Sequence, residues 1–283
     1  MGGLVFLDLD RLDLADIHDP QRLAKAVHRQ IGPLCCAVPV DEIALKLGIT
    51  EIRQEELDGC EGVLLTDRVR SAGKILVNTG RGPQAARFGI AHELGHFLLE
   101  RHVLGLSGAF TCSLTDMRET RTARQHERQE GEANAFAIGL LVPDNQLLPF
   151  LKEQPEISSA VTMRSSLNIS LEAAARCLVD RHAEPIAAVW TKGGKIRYAV
   201  RGKSFPWITR STGDRVSSLS QTSRALGMAK SGTTTMREVP AAAWTSADIP
   251  ELFEQVRVGK DGHTLTLLWA TLPDRGAQDD EED

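Results

Sequence analysis

Residues His92-Glu93-Leu94-Gly95-His96 combine two imidazoles and a carboxylate at a spacing that chemistry can use. On a helix, positions i and i+4 share one face with Cβ atoms about 5–6 Å apart, so His92 and His96 can hold one metal ion together. Glu93, one residue round the helix, can reach a water on that ion. Such a site suits zinc, which lowers the pKa of a bound water toward about 7 and leaves a nearby carboxylate to act as general base. Manganese is the alternative in the cell, since a set of two His and one Glu accepts either and availability decides. The bare pattern arises by chance in about one chain in a hundred of this length and composition. Its setting weighs against chance: both imidazoles fall in an apolar stretch, where an unpartnered one would be costly, and the chain has only eight His.

A hydrolytic zinc site keeps three protein ligands and one open position, so a third donor must come from elsewhere. The segment from Gln129 to Leu141 offers Glu130 and Glu132, about 200° apart on a helical wheel. Ala133, Phe136, Ala137 and Leu140 mark its inward face, and Glu130 lies closer to the centre of that face. Glu130 is the favoured third ligand and Glu132 an outer partner or its replacement, although acids also suit a first helical turn simply through the helix dipole. His102 and His126 are the competing donors, placed by pattern at a helix end and in a polar loop.

The elements that must position these groups can be read around them. Residues 20–31 and Val40 to Leu47 have helical apolar spacing, the second terminable at Gly48. Ile49 to Arg53, Glu61 to Thr66 and Lys74 to Thr79 are β-rich runs that predict a small antiparallel sheet. Pro83 opens a long helix expected to reach about His102. A loop of about 25 residues from Val103 to Arg128 has the length of a lid. A further helix is expected from about Gln129 to Leu141, stopped by Pro143. Residues 156–181 outline a helix-turn-helix, with Ser170 as the second helix's N-cap. From Pro185 the chain turns to β: PIAAVWT and KIRYAVR flank Gly193-Gly194 like a hairpin, and HTLTLLWATL alternates like a strand.

Composition bounds the rest. With 283 residues, 42% hydrophobic and 25% charged, the chain can build one large or two modest cores. The net charge of −5 equals that of the last ten residues, which hold six acids and one Arg, so the body is neutral and the tail reads as a solvated, disordered end. The opening MGGLVFLDLDRLDL places acids where a signal peptide needs an apolar run, and no stretch of about 18 apolar residues occurs, so a cytoplasmic protein without membrane contact is expected. Five Cys without a CxxC spacing encode neither a zinc ribbon nor a disulfide framework.

Other patterns carry less. Gly80-Arg-Gly82-Pro-Gln-Ala85 imitates a dinucleotide loop, but Pro83 and the metal motif on the same helix favour a simple turn. The basic stretch between Lys192 and Arg215 is a solvated face by default and a DNA contact as the sharper reading. KILVNT, just before the motif helix, is the natural place for a peptide to add as a strand. The only Tyr, Tyr198, lies far from the motif, leaving the metal or a loop residue such as His126 to polarise a scissile carbonyl.

RFGIAHELGHFLL (Arg87 to Leu99) followed by EGEANAFAIGLLVP (Glu130 to Pro143) resembles the paired signature of ImmA/IrrE-type zinc metallopeptidases. Val38 to Ile49, Glu61 to Leu65 and Ile75 to Asn78 resemble that family's introductory helix and sheet. ISLEAAARCLVDR (Ile169 to Arg181) and KIRYAVRGKSFP (Lys195 to Pro206) resemble the middle region and the start of the GAF-like domain of IrrE proteins. The resemblance implies an endopeptidase that cuts a helix-turn-helix repressor under stress or DNA damage. It implies His92, His96 and Glu130 as metal ligands and Glu93 as catalytic base. No helix-turn-helix precedes the peptidase segment, as it does in several family members, so the repressor is expected to be a separate chain.

The fold expected is α+β: a zincin-like peptidase domain over residues 1–150, a helix-turn-helix-like connector over 151–184, a GAF-like α/β domain over 185–273 and the acidic tail over 274–283. The rival reading is a non-proteolytic regulator with a structural zinc that binds DNA or a repressor. Glu93 separates the two, since a structural site has no use for a general base.

Overall fold

The computed structural model describes residues 9–103, 109–112, 125–227 and 231–272. By internal contacts the chain divides into two units, Met1–Leu148 with Met163–Ser170, and Pro149–Thr162 with Leu171–Asp283.

In the first unit, Asp19 caps α1 (Pro20–Ile31) by accepting from the Arg22 amide at 2.8 Å, and Pro20 takes the first turn. Leu23, Ala24 and Val27 turn inward. The next helix, α2 (Val40–Lys46), gives way at Gly48, whose φ of +106° is open to glycine at little cost. Strands β1 (Ile49–Glu55), β2 (Gly62–Thr66), β3 (Gly73–Asn78) and β4 (Ala109–Cys112) form one sheet in the order β1-β3-β2-β4.

The sheet is mixed, not antiparallel throughout as the sequence suggested: β1 runs parallel to β3, while β2 is antiparallel to β3 and β4. The physical reason lies in β3, which is buried at four of its six positions, Ile75 and Val77 among them, and so takes an interior place. That placement also corrects the expectation of strand addition at KILVNT. Both edges of β3 are already paired, and among the described residues the outer strands are β1 and β4.

The motif helix α3 (Pro83–Leu98) packs on this sheet, and α4 (Gln125–Leu141) packs on both α3 and α1. Gly82 forms a plain turn before α3, its amide donating to the Thr79 carbonyl at 2.8 Å. The long loop expected from Val103 to Arg128 is cut short by β4 and by an α4 that starts at Gln125, so His126 stands on a helix and not in a loop. Residues 104–108 and 113–124, on which the lid reading falls, lie outside the described residues, as does the acidic tail. A short α5 (Asp144–Leu147) follows Pro143.

The helix pair expected near 156–181 is present as α6 (Ile157–Leu167) and α7 (Leu171–Arg181), with Asn168 at φ +50° in the turn between them. The boundary between the units falls within α6. Arg87 of α3 donates to the Asn168 carbonyl at 3.2 Å and to the Val38 carbonyl at 2.8 Å, tying the motif helix to this turn.

The second unit is built on an antiparallel sheet ordered β6-β5-β10-β9-β7, with β8 also pairing β9. Its strands are β5 (Ile186–Lys192), β6 (Lys195–Arg201), β7 (Gly232–Thr233), β8 (Arg237–Glu238), β9 (Glu251–Val258) and β10 (His263–Thr271), with α8 (Gln221–Leu226) between β6 and β7. Gly193 and Gly194 both take positive φ in the β5–β6 turn. Helix α7 packs on β5 and β6, where Trp190 and Tyr198 stack at 4.6 Å with the Arg176 guanidinium over both rings. Alternation sends Ala187 and Val189 to the opposite face, into a core with Ile196, Phe205, Trp244 and Leu268. No helix among the described residues is long and apolar enough to cross a membrane.

Candidate metal centre

Two helices meet at small residues, and that brings the chemistry together. A Cβ on Gly95 would stand 3.0 Å from the Phe136 ring, so α4 lies against the bare backbone of α3 at the middle of the motif. On α4, Ala133, Phe136, Ala137 and Leu140 are fully buried. One turn before Ala133, that same face carries Glu130.

The three ligand atoms converge. His92 Nε2 lies 3.1 Å from His96 Nε2 and 3.2 Å from Glu130 Oε2, and His96 Nε2 lies 3.2 Å from Glu130 Oε1. All three side chains are buried, and among the described residues this is the group of His, Cys, Asp or Glu whose donors could share an ion. Bonds of about 2.0–2.1 Å to a tetrahedral ion require donors about 3.3 Å apart, close to the separations found.

The hydrogen bonds behind the ligands support the same reading. His92 Nδ1 stands 3.1 Å from Asn134 Oδ1, which can only accept, so the ring proton is on Nδ1 and Nε2 presents a lone pair. The His92 lone pair and the Glu130 carboxylate, turned toward each other and toward His96 Nε2 away from water, call for a cation between them. The donor set therefore fits zinc.

Protonation follows from burial and neighbours. Burial lowers the His96 imidazole to about 4 and, with the adjacent His96, lowers His102 to about 3. Burial also pulls His92 down, but Glu130, Glu93 and Asn134 outweigh it and hold it above its ordinary value. Burial opposes the Glu130 carboxylate too, yet the two imidazoles keep it below the usual carboxylate range.

Glu93 is fully buried beside this group, and its charge acts on His92. Its Oε1 lies so close to Gly62 of β2 that a Cβ there would collide with it. Strand β2 thereby fixes the position of the general-base candidate.

Of the residues singled out in the sequence, His92, His96 and Glu130 come together and Glu93 lies alongside. Glu132 does not join them. It is an outer partner, 3.0 Å from His102 Nε2 and paired with Arg101 at 2.9 Å. His126, more than half exposed, lies 4.0 Å from Glu130 Oε1. His102 was expected at the end of α3, but the helix stops at Leu98 and His102 folds back, buried, to place Nδ1 2.9 Å from His96 Nδ1. Sequence reasoning missed Asn134 and Gly62. Asn134 could have been found from its place one turn beyond Glu130 on the inward face; nothing local marks Gly62, whose role depends on sheet order.

Residues 51–178 match the family model of the IrrE N-terminal-like domain, Peptidase_M78. The match lies within the stretch over which the sequence resembles ImmA/IrrE proteins. No curated protein matches the chain. Among solved structures the fold is shared with a Mycobacterium tuberculosis transcriptional regulator, with a TM-score of 0.55 and 14% identity, over 92% of this chain and 80% of that one. The matched family model suggests a metallopeptidase-like or regulatory protein.

Proposed function

We propose that this protein is a zinc-dependent endopeptidase of the cytoplasm that cleaves a separately encoded helix-turn-helix repressor of XRE type, derepressing stress, DNA-damage-response or mobile-element genes. The observation that carries the hydrolytic reading is the convergence of three donors, His92, His96 and Glu130, with the buried carboxylate of Glu93 beside them. Structural zinc is held by four protein ligands, whereas three leave a position for water or substrate.

Zinc, when bound, supplies a Lewis acid that polarises the scissile carbonyl and acidifies water. Glu93 takes the proton of the attacking water on its carboxylate and returns it to the amine nitrogen as the C–N bond breaks. His92, His96 and Glu130 hold the ion, and Asn134 keeps His92 in the ligating tautomer. Burial of the whole group strengthens each of these interactions.

The transcriptional role named for the M. tuberculosis neighbour suits a peptidase that acts on a repressor as well as a regulator that cuts nothing. The rival reading, a structural zinc with DNA read by the helix pair, is weakened by α7. Its Ala174, Ala175, Cys177, Leu178 and Val179 are buried, and the stripe it leaves to solvent, Glu172, Arg176 and Asp180, carries two acids against one Arg, a poor match for a phosphate-lined groove. We read residues 151–184 as a connector and 185–273 as a GAF-like sensing module.

The test is cleavage of a repressor encoded beside this gene by wild type and Glu93→Gln, each loaded with Zn²⁺ or Mn²⁺. Cutting by wild type alone, with metal retained by both, supports the peptidase. Repressor bound but uncut by either protein supports the regulator.

A further inference from the structure

The two histidine ligands are held from behind in different ways, and the His96 side is the more elaborate. Beyond Leu98 the chain makes one tight turn, the His102 amide donating to the Leu99 carbonyl at 2.9 Å. Arg70, buried and at φ +52°, clamps that turn by donating to the carbonyls of Leu99, at 2.6 Å, and His102. Arg11 donates in turn to the Arg70 carbonyl at 2.5 Å. The result is a buried imidazole edge to edge with His96, the ring centroids 5.0 Å apart.

With His102 neutral, the hydrogen bonds along this line order its protons. Glu132 sits against two guanidinium groups, Arg101 at 2.9 Å and Arg128 at 3.6 Å, and as a carboxylate it can only accept. His102 Nε2, 3.0 Å away, must donate to it. A neutral His102 then has a lone pair at Nδ1. The two Nδ1 atoms, 2.9 Å apart, share a single proton, which therefore belongs to His96. His96 Nε2 is left bare, facing Glu130 and His92, as a metal ligand requires.

We propose that His102 and Glu132 are positioning residues of the metal centre: Glu132 sets the tautomer of His102, and His102 sets that of His96. The inference rests on the reading that His92, His96 and Glu130 hold a metal. It assigns the second acid of the α4 motif a task distinct from the first, and makes Arg70 the device that delivers His102 to its place.

The replacements that test it follow from geometry. Asn carries Oδ1 where His carries Nδ1, so His102→Asn keeps an acceptor for His96 while giving up the link to Glu132. His102→Gln reaches toward Glu132 but offers His96 nothing, and His102→Ala removes both. Zinc affinity of the full chain is measured by competition with a chromophoric chelator, and Co²⁺ loading by its visible spectrum. Metal-free thermal melting is run alongside. We expect His102→Ala and His102→Gln to weaken zinc binding by about 10–100-fold, and His102→Asn to stay within about threefold of wild type, with the Co²⁺ spectrum following the same split. Equal losses in all three variants, or none in any, would overturn the inference while leaving the metal site standing. A wild type that binds neither metal would overturn both.

Discussion

Gly95 and Ala133 hold the two helices of the metal centre at backbone contact: a Cβ on Gly95 would stand 3.3 Å from Ala133 Cα and 3.4 Å from its carbonyl oxygen. Phe136 closes the same spot at 3.0 Å. A longer side chain at 95 would push α4 outward, and with it Glu130, away from the two imidazoles to which it is matched.

Gly95→Val should therefore lose stability and metal affinity together. Overpacking a close contact costs about 1–3 kcal/mol, and the displaced Glu130 weakens the site beyond that. Gly95→Ala should be far milder, since a shift of a few tenths of an ångström accommodates it and Ala favours the helix. Denaturant unfolding of the metal-free chain and a zinc competition titration would read the two effects separately. A valine variant with wild-type zinc affinity would show that the helix spacing does not govern the site.

Much of this centre was legible because helical periodicity is a strong local signal. His92, Glu93 and His96 lie within one turn and a half, and the inward face of α4 alone ranks Glu130 above Glu132. What could not be read depends on distant partners. The end of α3 at Leu98 is marked by neither Gly nor Pro; Arg70, remote in sequence, builds the turn that returns His102. The parallel pairing of β3 with β1 joins segments about 25 residues apart, and no neighbouring residue encodes that direction. Strand β4 spans four residues in a Gly- and Ser-containing stretch, too short for alternation to show.

Gly62→Ala should separate chemistry from binding. The added methyl would collide with Glu93 Oε1, the end of a side chain that can swing aside, so folding and zinc content should hold. The carboxylate, however, would leave its position. A displacement of about 1 Å in a reacting group can cost about 10²-fold in rate. Peptide cleavage and zinc content measured on one preparation would check this, and full activity in the variant would remove β2 from the positioning of Glu93.

Acid should destabilise the metal-free protein above the range where carboxylates titrate. Burial depresses His28, whose Nε2 lies 2.9 Å from the Leu140 carbonyl, as well as His96, to about 4, and His102, to about 3. Each has a folded value below the unfolded 6.5, so the unfolded chain binds more protons as the pH falls. Their contribution is present above about pH 6.5 and is lost progressively toward pH 4. His92, held above its ordinary value, has the opposite sign but stands alone against three. Urea unfolding of chelator-treated protein across that range should show falling stability, with a shallower fall in His28→Gln, whose amide can still donate to Leu140. Flat stability down to about pH 5 would show that these imidazoles do not stay neutral in the fold.

In the second unit, Glu254 of β9 makes the strongest stability prediction. Its carboxylate is fully buried and accepts from five donors: Ser220 Oγ and Thr222 Oγ1 at 2.7 Å, the amides of Gln221 at 3.0 Å and Thr222 at 2.8 Å, and Trp244 Nε1 at 3.1 Å. It ties the start of α8 and the largest core side chain to the middle of the sheet. Alternation with Leu252 and Val256 already places an acid on the inward face, which is the signal by which the sequence could have given it away. Glu254→Gln turns an NH₂ group toward donors and removes the charge they serve. Unmet buried donors and lost charge-assisted hydrogen bonds together should cost about 2–4 kcal/mol. Glu254→Leu should cost at least as much, because it takes the acceptor from Ser220 Oγ, the Gln221 amide and Trp244 Nε1, while Thr222 keeps Ser220 Oγ and Thr266 Oγ1 as partners. Thermal and urea unfolding followed by tryptophan fluorescence would report on the second unit, which holds all four Trp, and a Gln variant as stable as wild type would mean that the buried carboxylate is not what holds α8 to β9.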